Sequence, residues 1–273
     1  MLKRIVSPLA EVPGIVGVVL GGSRARGTAT EASDYDLGLY YGAKESLNTQ
    51  RLLATVRELV DDPASAAVTP VGEWGPRIVG GGWLSIEGRK VDLLYRNLDD
   101  VRAVLADCRA GRISMAYQPG HPHGFCSAIW MGEIALCQPI HDPTGAIAEL
   151  KAAASPYPDN LRAALLKTFL WEVSFSIENA QVAIPRRDKT HIAGCVYRAL
   201  CCIGQVLFAL NRRYLINEKG ALVEAAAFPC TISRLIAWTD AVWGDIGNSQ
   251  FSDALDRLRT LDAELRALVQ RGT

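Results

Sequence analysis

Residues 15–37 read IVGVVLGGSRARGTATEASDYDL, and the fold prediction rests on the pattern within them. The run Ile15–Leu20 is short, apolar and closed by Gly21-Gly22, as expected of a strand buried on both faces. Glycines after such a strand let backbone N–H groups approach a phosphate closely, and Ser23 adds a hydroxyl and the positive end of a short helix. Gly-Gly-Ser alone occurs in many turns, so the interpretation depends on the residues that follow.

Two aspartates follow this turn at the start of a second predicted strand, which runs from Tyr35 to Tyr41. In a strand, side chains at i and i+2 point to the same face, so Asp34 and Asp36 place two carboxylates side by side. Two like charges this close repel each other, so a cation between them would explain the arrangement. Mg²⁺ is the natural candidate, because it prefers a few carboxylates together with phosphate oxygens. The alternative is a solvated edge strand whose aspartates bind nothing.

A third carboxylate, Asp92, lies within the apolar run Val91-Asp92-Leu93-Leu94-Tyr95. An unpaired charge buried in such a strand would cost several kcal/mol, so this side chain needs a partner. A metal ion between neighbouring strands would supply one.

In combination, Gly22-Ser23, Asp34-x-Asp36 and Asp92 on a later strand resemble the signature of the polymerase-beta-like nucleotidyltransferase superfamily. The resemblance covers residues 15–96. The order of a small catalytic domain and a helical domain is similar to that of antibiotic nucleotidyltransferases, which act on aminoglycosides and lincosamides, and of minimal nucleotidyltransferases. Beyond residue 150 the resemblance selects neither of these relatives.

The resemblance implies a role for each motif residue. Gly22 and Ser23 would hold the β- and γ-phosphates of ATP or another nucleoside triphosphate. Asp34 and Asp36 would coordinate two Mg²⁺ ions, and Asp92 would complete the second metal site and is the first choice for general base. The implied reaction is in-line attack of an acceptor hydroxyl on the α-phosphorus, with pyrophosphate leaving.

Basic residues outside the motif are further candidates for triphosphate binding. Arg24 and Arg26 follow the Gly-Ser turn and could neutralise phosphate charge, although surface loops often carry arginines. Lys189 and Lys219, in the helical part of the chain, could reach the triphosphate as basic residues of second domains do in similar transferases. The alternative is a charged, solvated connection in which Asp188 caps a helix.

The segment His121-Pro122-His123 lies between Pro119-Gly120 and Gly124, which predicts a loop. Such a loop could line the acceptor pocket or supply a base near neutral pH. An ordinary exposed turn is the favoured alternative, because no acidic or cysteine partner has metal-ligand spacing.

The rest of the first half predicts further strands and helices. Apolar residues from Leu52 to Val60 mark one face of a helix that Ser46 could cap. Two strands, Arg77–Ile86 and Lys90–Arg96, flank a short connection that suits a hairpin. Asn97 is the predicted N-cap of a helix that ends at Gly111.

From about residue 143 the apolar spacing of three and four predicts helices alone. They span residues 143–154, 159–183, 188–213, 231–242 and 252–270. The fold class is therefore α+β, with a small mixed-sheet nucleotidyltransferase domain over residues 1–142 and a helical bundle domain over residues 143–273. A break at residues 155–158 leaves the boundary open between 140 and 158.

Composition limits the partners and the compartment. Lys+Arg and Asp+Glu both number 29, so the chain lacks the basic excess expected for binding a long nucleic acid. The seven cysteines form an odd set without a C-x-x-C pair, which argues against a disulfide framework and structural zinc. The N-terminus has no apolar signal-peptide region, so we expect a cytoplasmic protein. Arg198 and Gln205 interrupt the most membrane-like stretch, 192–210, which favours a buried core helix.

The leading functional prediction is transfer of a nucleoside monophosphate to a hydroxyl of a small molecule, with AMP as the first candidate for the transferred group. One alternative is nucleotidylation of a macromolecule, either a protein hydroxyl, as in antitoxins that silence a toxin, or an RNA end. Another is a nucleotide-binding sensor without transfer activity, which the complete set of aspartates argues against. The acceptor, the preferred triphosphate and the oligomeric state do not follow from the sequence.

Overall fold

A computed structural model of the protein describes residues 1–42 and 45–272. The chain forms two compact units. The first contains Met1–Arg109 and Ser114–Pro156, and the second contains Ala110–Ile113 and Tyr157–Thr273.

The first unit combines a sheet with helices. Its helices are α1 (Leu2–Ala10), α2 (Gly22–Arg26), α3 (Thr49–Leu59), α4 (Leu98–Arg109), α5 (Ala128–Leu136) and α6 (Ala146–Ala153). Its strands are β1 (Ile15–Leu20), β2 (Tyr35–Tyr41), β3 (Gly81–Ile86), β4 (Arg89–Asn97), β5 (Met115–Gln118), β6 (His121–Cys126) and β7 (Gln138–His141).

The main sheet is mixed and has the strand order β3-β4-β2-β1-β7. Strands β2 and β4 are parallel, whereas the other neighbours are antiparallel. Strands β5 and β6 form a separate antiparallel pair. The described strands therefore confirm the predicted mixed sheet.

One face of this sheet forms the apolar core of the unit. Every second residue of β4 points into it, so Val91, Leu93 and Tyr95 are fully buried while Asp92 between them is partly exposed. Helices α1 and α3 supply further side chains to the same apolar cluster, including Leu9. The aspartate side of β4 is thus the opposite face of the sheet.

On that opposite face, side chains toward the ends of β2 and β4 are covered. Tyr40 and Arg96 are 2% exposed, and the Arg96 guanidinium donates two hydrogen bonds of 2.8 Å to the Glu133 carboxylate on α5. This two-point ion pair attaches α5 to the sheet. The first residues of β2 and β4 remain accessible on this face.

Of the caps and turns predicted from short stretches of sequence in this unit, some are confirmed and one is wrong. The Oδ1 of Asn97 accepts hydrogen bonds from the N–H groups of Asp99 and Asp100, as predicted for the N-cap of α4. The predicted cap of α3, Ser46, is wrong, because the side chain of Asn48 accepts from the Arg51 N–H instead. The hairpin is confirmed, although β3 begins at Gly81 rather than at Arg77.

The second unit is helical, which confirms the predicted α+β class with a helical C-terminal region. Its helices are α7 (Asp159–Ala183), α8 (Lys189–Leu210), α9 (Ala221–Ala226), α10 (Leu235–Gly247) and α11 (Phe251–Gly272). Helix α8 is long and apolar enough to cross a membrane by length and composition, and 67% of its most apolar window is buried inside the protein. This burial agrees with the core helix inferred from Arg198 and Gln205.

The two compact units divide after α6 rather than before it, within the range 140–158 considered from the sequence. Helix α6 buries Ile147 and Leu150. Ile147 lies so close to β1 that a Cβ on Gly17 would be 3.2 Å from its side chain. Packing against β1 explains why a helix that looks like the start of the bundle belongs to the first unit.

Asp61 gives a test of the β3–β4 hairpin. Its carboxylate accepts hydrogen bonds from the N–H groups of Gly88 and Glu87 and from the Ser85 hydroxyl, at 2.9, 2.7 and 2.8 Å. These donors, Gly88 first, hold the pKa of the carboxyl below its usual range. A carboxyl with a lowered pKa in the folded chain adds stability above its unfolded pKa, about 4, and loses it as the pH falls further.

Asp61→Asn should therefore lower the melting temperature at pH 7, and the difference from the wild type should shrink as the pH falls below about 4. Thermal melts followed by circular dichroism, at pH 7 and at a pH below about 4, measure the two melting temperatures. Asp240→Asn, the same change at an exposed site on α10, is the control. A loss of the same size at both pH values would contradict the hydrogen-bonding role of the carboxylate.

Candidate active site

The turn between β1 and α2 lies directly against the second aspartate of the motif. Gly22 has φ +61°, and a Cβ at this position would overlap a carboxylate oxygen of Asp36 and lie 2.7 Å from its Cγ. The N–H of Gly21 donates to the Asp36 carbonyl at 2.7 Å, which joins the turn to β2. Only glycine allows the turn and the carboxylate to approach this closely.

The strand pairing brings the third aspartate to the same place. Asp36 on β2 and Asp92 on β4 are direct partners in the parallel ladder. In-register partners point to the same face, so the two side chains lie on neighbouring strands about 4.8 Å apart. Both residues are partly exposed and both have interactions within the protein.

Asp34 directly precedes β2, and Arg24 fixes the chain there. The Arg24 guanidinium donates from Nε to the carbonyl oxygens of Ser33 and Asp34, and from Nη2 to Ser33 at 2.5 Å. It also lies 3.9 Å from the centre of the Tyr35 ring. Arg24 therefore holds the segment before Asp36 against α2. Triphosphate binding was one of two roles considered for this residue from the sequence.

The donor set fits a hard cation that also binds phosphate. Within residues 1–42 and 45–272, no group of three or more His, Cys, Asp or Glu side chains is arranged as a metal site. Mg²⁺ does not require such a cage, because it is commonly held by one or two carboxylates and the phosphates of a substrate. The paired Asp36 and Asp92 beside the glycine turn provide carboxylates of this kind.

The remaining basic candidates lie in different parts of the chain. Arg26 is exposed in the last turn of α2, next to the motif. Lys189 and Lys219 belong to the second unit, where the Lys189 ammonium donates to the Gly247 carbonyl at 2.8 Å and Lys219 is exposed.

The predicted loop at His121-Pro122-His123 and its favoured alternative, an exposed turn, are both wrong. His121 and His123 lie in β6, and they are only 8% and 6% exposed. The turn is confined to Pro119-Gly120, which joins two short strands, so the chain is already extended at His121. The His121 ring packs edge-on against Phe125 at 5.0 Å.

Trp83 is the ladder partner of Asp92 on the other side of β4, and the sequence motifs gave no indication of it. Trp83 is 70% exposed although it is a large apolar residue in a strand. The predicted connection, residues 87–89, left the hairpin register open. The structure has a two-residue turn, Glu87-Gly88, and counting back from Ile86↔Arg89 pairs Trp83 with Asp92.

Comparison of Gly22→Ala with Gly27→Ala should distinguish the effect of the Gly22–Asp36 contact on stability from the effect of backbone strain alone. Both glycines have positive φ, +61° and +72°, but a Cβ on Gly27 would have no atom within 4 Å. Gly27→Ala should therefore cost about 1 to 2 kcal/mol of folding stability from strain alone. Gly22→Ala should cost more and should also abolish nucleotide binding, because Asp36 must move.

Denaturant unfolding and calorimetry with nucleotide measure these two effects. Equal losses of stability in the two variants, with nucleotide binding retained in both, would show that the Gly22–Asp36 contact does not form the site.

Comparison with protein families adds to this geometry. The nucleotidyltransferase domain matches residues 2–69, and a domain of unknown function, DUF4037, matches residues 133–219. The second match runs across the division between the two compact units. No curated protein matches the chain.

Among solved structures, the protein is similar to a nucleotidyltransferase-like protein from Exiguobacterium sibiricum 255-15. The two share 12% identity with a TM-score of 0.44, over 99% of this chain and 75% of the other. At these values the similarity adds nothing to the assignment.

The assignment rests on the first family match. Residues 2–69 contain the glycine turn, Ser23, Asp34 and Asp36, and the structure joins the turn to Asp36 by direct contact. Residues 2–69 therefore match a nucleotidyltransferase domain, and this match supports a nucleotidyltransferase enzyme.

Proposed function

We propose that the protein transfers AMP from ATP to a hydroxyl of a small-molecule acceptor in a Mg²⁺-dependent reaction that releases pyrophosphate. The observation that carries this proposal is the contact of Gly22 with Asp36, together with the pairing of Asp36 and Asp92. It supports the proposal because a glycine turn and two carboxylates lie together on one face of the sheet.

The turn provides the phosphate side of the site. The first N–H groups of a helix have no partner within that helix, and α2 begins at Gly22. These donors and the Ser23 hydroxyl bind the β- and γ-phosphates, and Arg26 adds positive charge beside them. Arg24 acts as a positioning residue through its contacts with Ser33, Asp34 and Tyr35.

The carboxylates provide the metal side. Asp34, Asp36 and Asp92 would hold Mg²⁺. When bound, Mg²⁺ stabilises negative charge on the entering and leaving oxygens. Asp36 and Asp92 lie next to each other because β2 and β4 are in register, so a shift of one residue between these strands would turn one carboxylate to the core face.

The transfer forms one bond and breaks one. The acceptor oxygen bonds to the α-phosphorus, and the bond from the α-phosphorus to the oxygen bridging to the β-phosphate breaks, so pyrophosphate leaves. Asp92 accepts the proton of the acceptor hydroxyl. Orientation of the two reactants accounts for much of the rate enhancement in such a site.

The charge balance supports a small acceptor rather than a nucleic acid. Equal numbers of basic and acidic residues, 29 each, give no net attraction for a polyanion beyond the site itself.

Asp36→Asn tests the proposed metal and nucleotide site. The substitution keeps the shape that packs against Gly22 but removes the negative charge. Mg²⁺ and ATP together, at about 100 times their Kd, should stabilise the wild type by about 2.7 kcal/mol, because they bind the native state only. The variant should gain much less, and ATP with excess chelator should stabilise neither protein.

Thermal melts with and without Mg²⁺ and ATP measure the shift, and Asp240→Asn is the control with an exposed aspartate on α10. An equal shift for Asp36→Asn and wild type would remove Asp36 from the site. A full shift of the wild type in chelator would argue against the role of Mg²⁺.

A further inference from the structure

Four groups lie in a row across the sheet at the same level. The Gly22 turn contacts Asp36 on β2, Asp36 pairs with Asp92 on β4, and Asp92 pairs with Trp83 on β3. Directly paired residues point to the same face of a sheet, so Trp83 shares the face of both aspartates. With strands about 4.8 Å apart, its backbone lies about 10 Å from that of Asp36.

The Trp83 indole is exposed yet ordered by a second indole. It is 70% exposed, and its ring stacks on Trp74 with centroids 4.5 Å apart and an angle of 19° between the planes. We call these two side chains the indole pair. Trp74 is less exposed, so it forms the base on which Trp83 rests.

Several contacts hold Trp74 in place. Gln118 is 2% exposed, and its Nε2 donates to the Trp74 carbonyl at 2.8 Å. Its Oε1 accepts from the N–H groups of Arg77 and Ile78, both at 3.0 Å. Gly81 leaves room for the ring, since a Cβ there would lie 2.9 Å from Cζ3 of Trp74. The indole pair is therefore a built surface rather than a loose side chain.

In-line transfer predicts a role for the position of Trp83, and this inference rests on the function proposed above. The leaving pyrophosphate lies toward the Gly22 turn, so the attacking hydroxyl must approach the α-phosphorus from the opposite side. The opposite side of the Asp36–Asp92 pair is strand β3. The group that β3 presents next to Asp92 is the Trp83 indole.

We propose that the indole pair is the acceptor subsite and that it takes a carbohydrate-like ring carrying the reactive hydroxyl. The face of an indole is apolar and electron-rich, so it packs against the electropositive C–H face of a saturated, hydroxylated ring. Asp92 beside it accepts the hydroxyl proton. One ligand thus satisfies both neighbours, with its C–H face on Trp83 and a hydroxyl at Asp92.

A nucleobase is the competing occupant, since bases also stack on tryptophan. The two occupants separate experimentally, because a base platform changes the affinity for ATP whereas an acceptor platform does not. A second stacked pair, Trp171 with Phe175, provides a matched control in the second unit. Trp171 is 61% exposed, and its ring lies 4.7 Å from Phe175 at 16°.

The experiment uses wild type, Trp83→Ala, Trp83→Phe and Trp171→Ala with Mg²⁺ and ATP. Acceptors are kanamycin A, lincomycin, methyl glycosides and the low-molecular-weight fraction of a cell extract, with mass detection of an added nucleotide. For each acceptor that the wild type modifies, Trp83→Ala should raise the KM for the acceptor about tenfold and leave the KM for ATP unchanged. Trp83→Phe should recover part of the loss, and Trp171→Ala should match the wild type.

The outcomes distinguish the two proposals. An unchanged acceptor KM in Trp83→Ala would overturn the acceptor subsite while leaving the proposed function intact. Weaker ATP binding by Trp83→Ala in calorimetry without acceptor would identify a base platform and also overturn it. Absence of nucleotide transfer by the wild type to every acceptor would instead refute the proposed small-molecule transferase, and the subsite with it.

Discussion

The contact between the Cα of Gly22 and the carboxylate of Asp36 is the constraint on which the site depends. It requires a glycine with positive φ at the start of α2 and an aspartate at the second position of β2. The Gly21–Asp36 hydrogen bond and the hold of Arg24 on Ser33 and Asp34 fix the two segments from either side. The proposed phosphate-binding turn and the proposed metal ligand are therefore positioned by the same few residues.

Strand pairing places further side chains next to Asp36 on the same face of the sheet. Parallel pairing of β2 with β4 adds Asp92, and the tight β3–β4 hairpin adds Trp83. Farther along the same face, the partly buried ion pair of Arg96 with Glu133 attaches α5, whereas the starts of β2 and β4 stay accessible. The proposed site residues and the Arg96–Glu133 ion pair thus share one face of the sheet but lie toward different ends of it.

The parts predicted from the sequence are those whose signals are local. Strand Ile15–Leu20 has glycines directly after it, and Asn97 caps α4 within three residues of itself. Helix α5 was not predicted, because it is apolar on nearly every side and so has no helical periodicity. The contacts of Arg24 and the stacking of Trp83 on Trp74 were not predicted either, since they join segments about ten residues apart. The proposed site residues therefore follow from a sequence motif, whereas the contacts that support them needed the structure.

The central claim is that the protein transfers a nucleoside monophosphate rather than a phosphoryl group. The most direct test follows two labels, using ATP with ³²P in the α-position or in the γ-position, with Mg²⁺ and a mixed pool of small hydroxylated acceptors. The account predicts that the α-label enters the acceptor while the γ-label leaves as pyrophosphate. Transfer of the γ-label to the acceptor, or its release as inorganic phosphate with ADP, would contradict it.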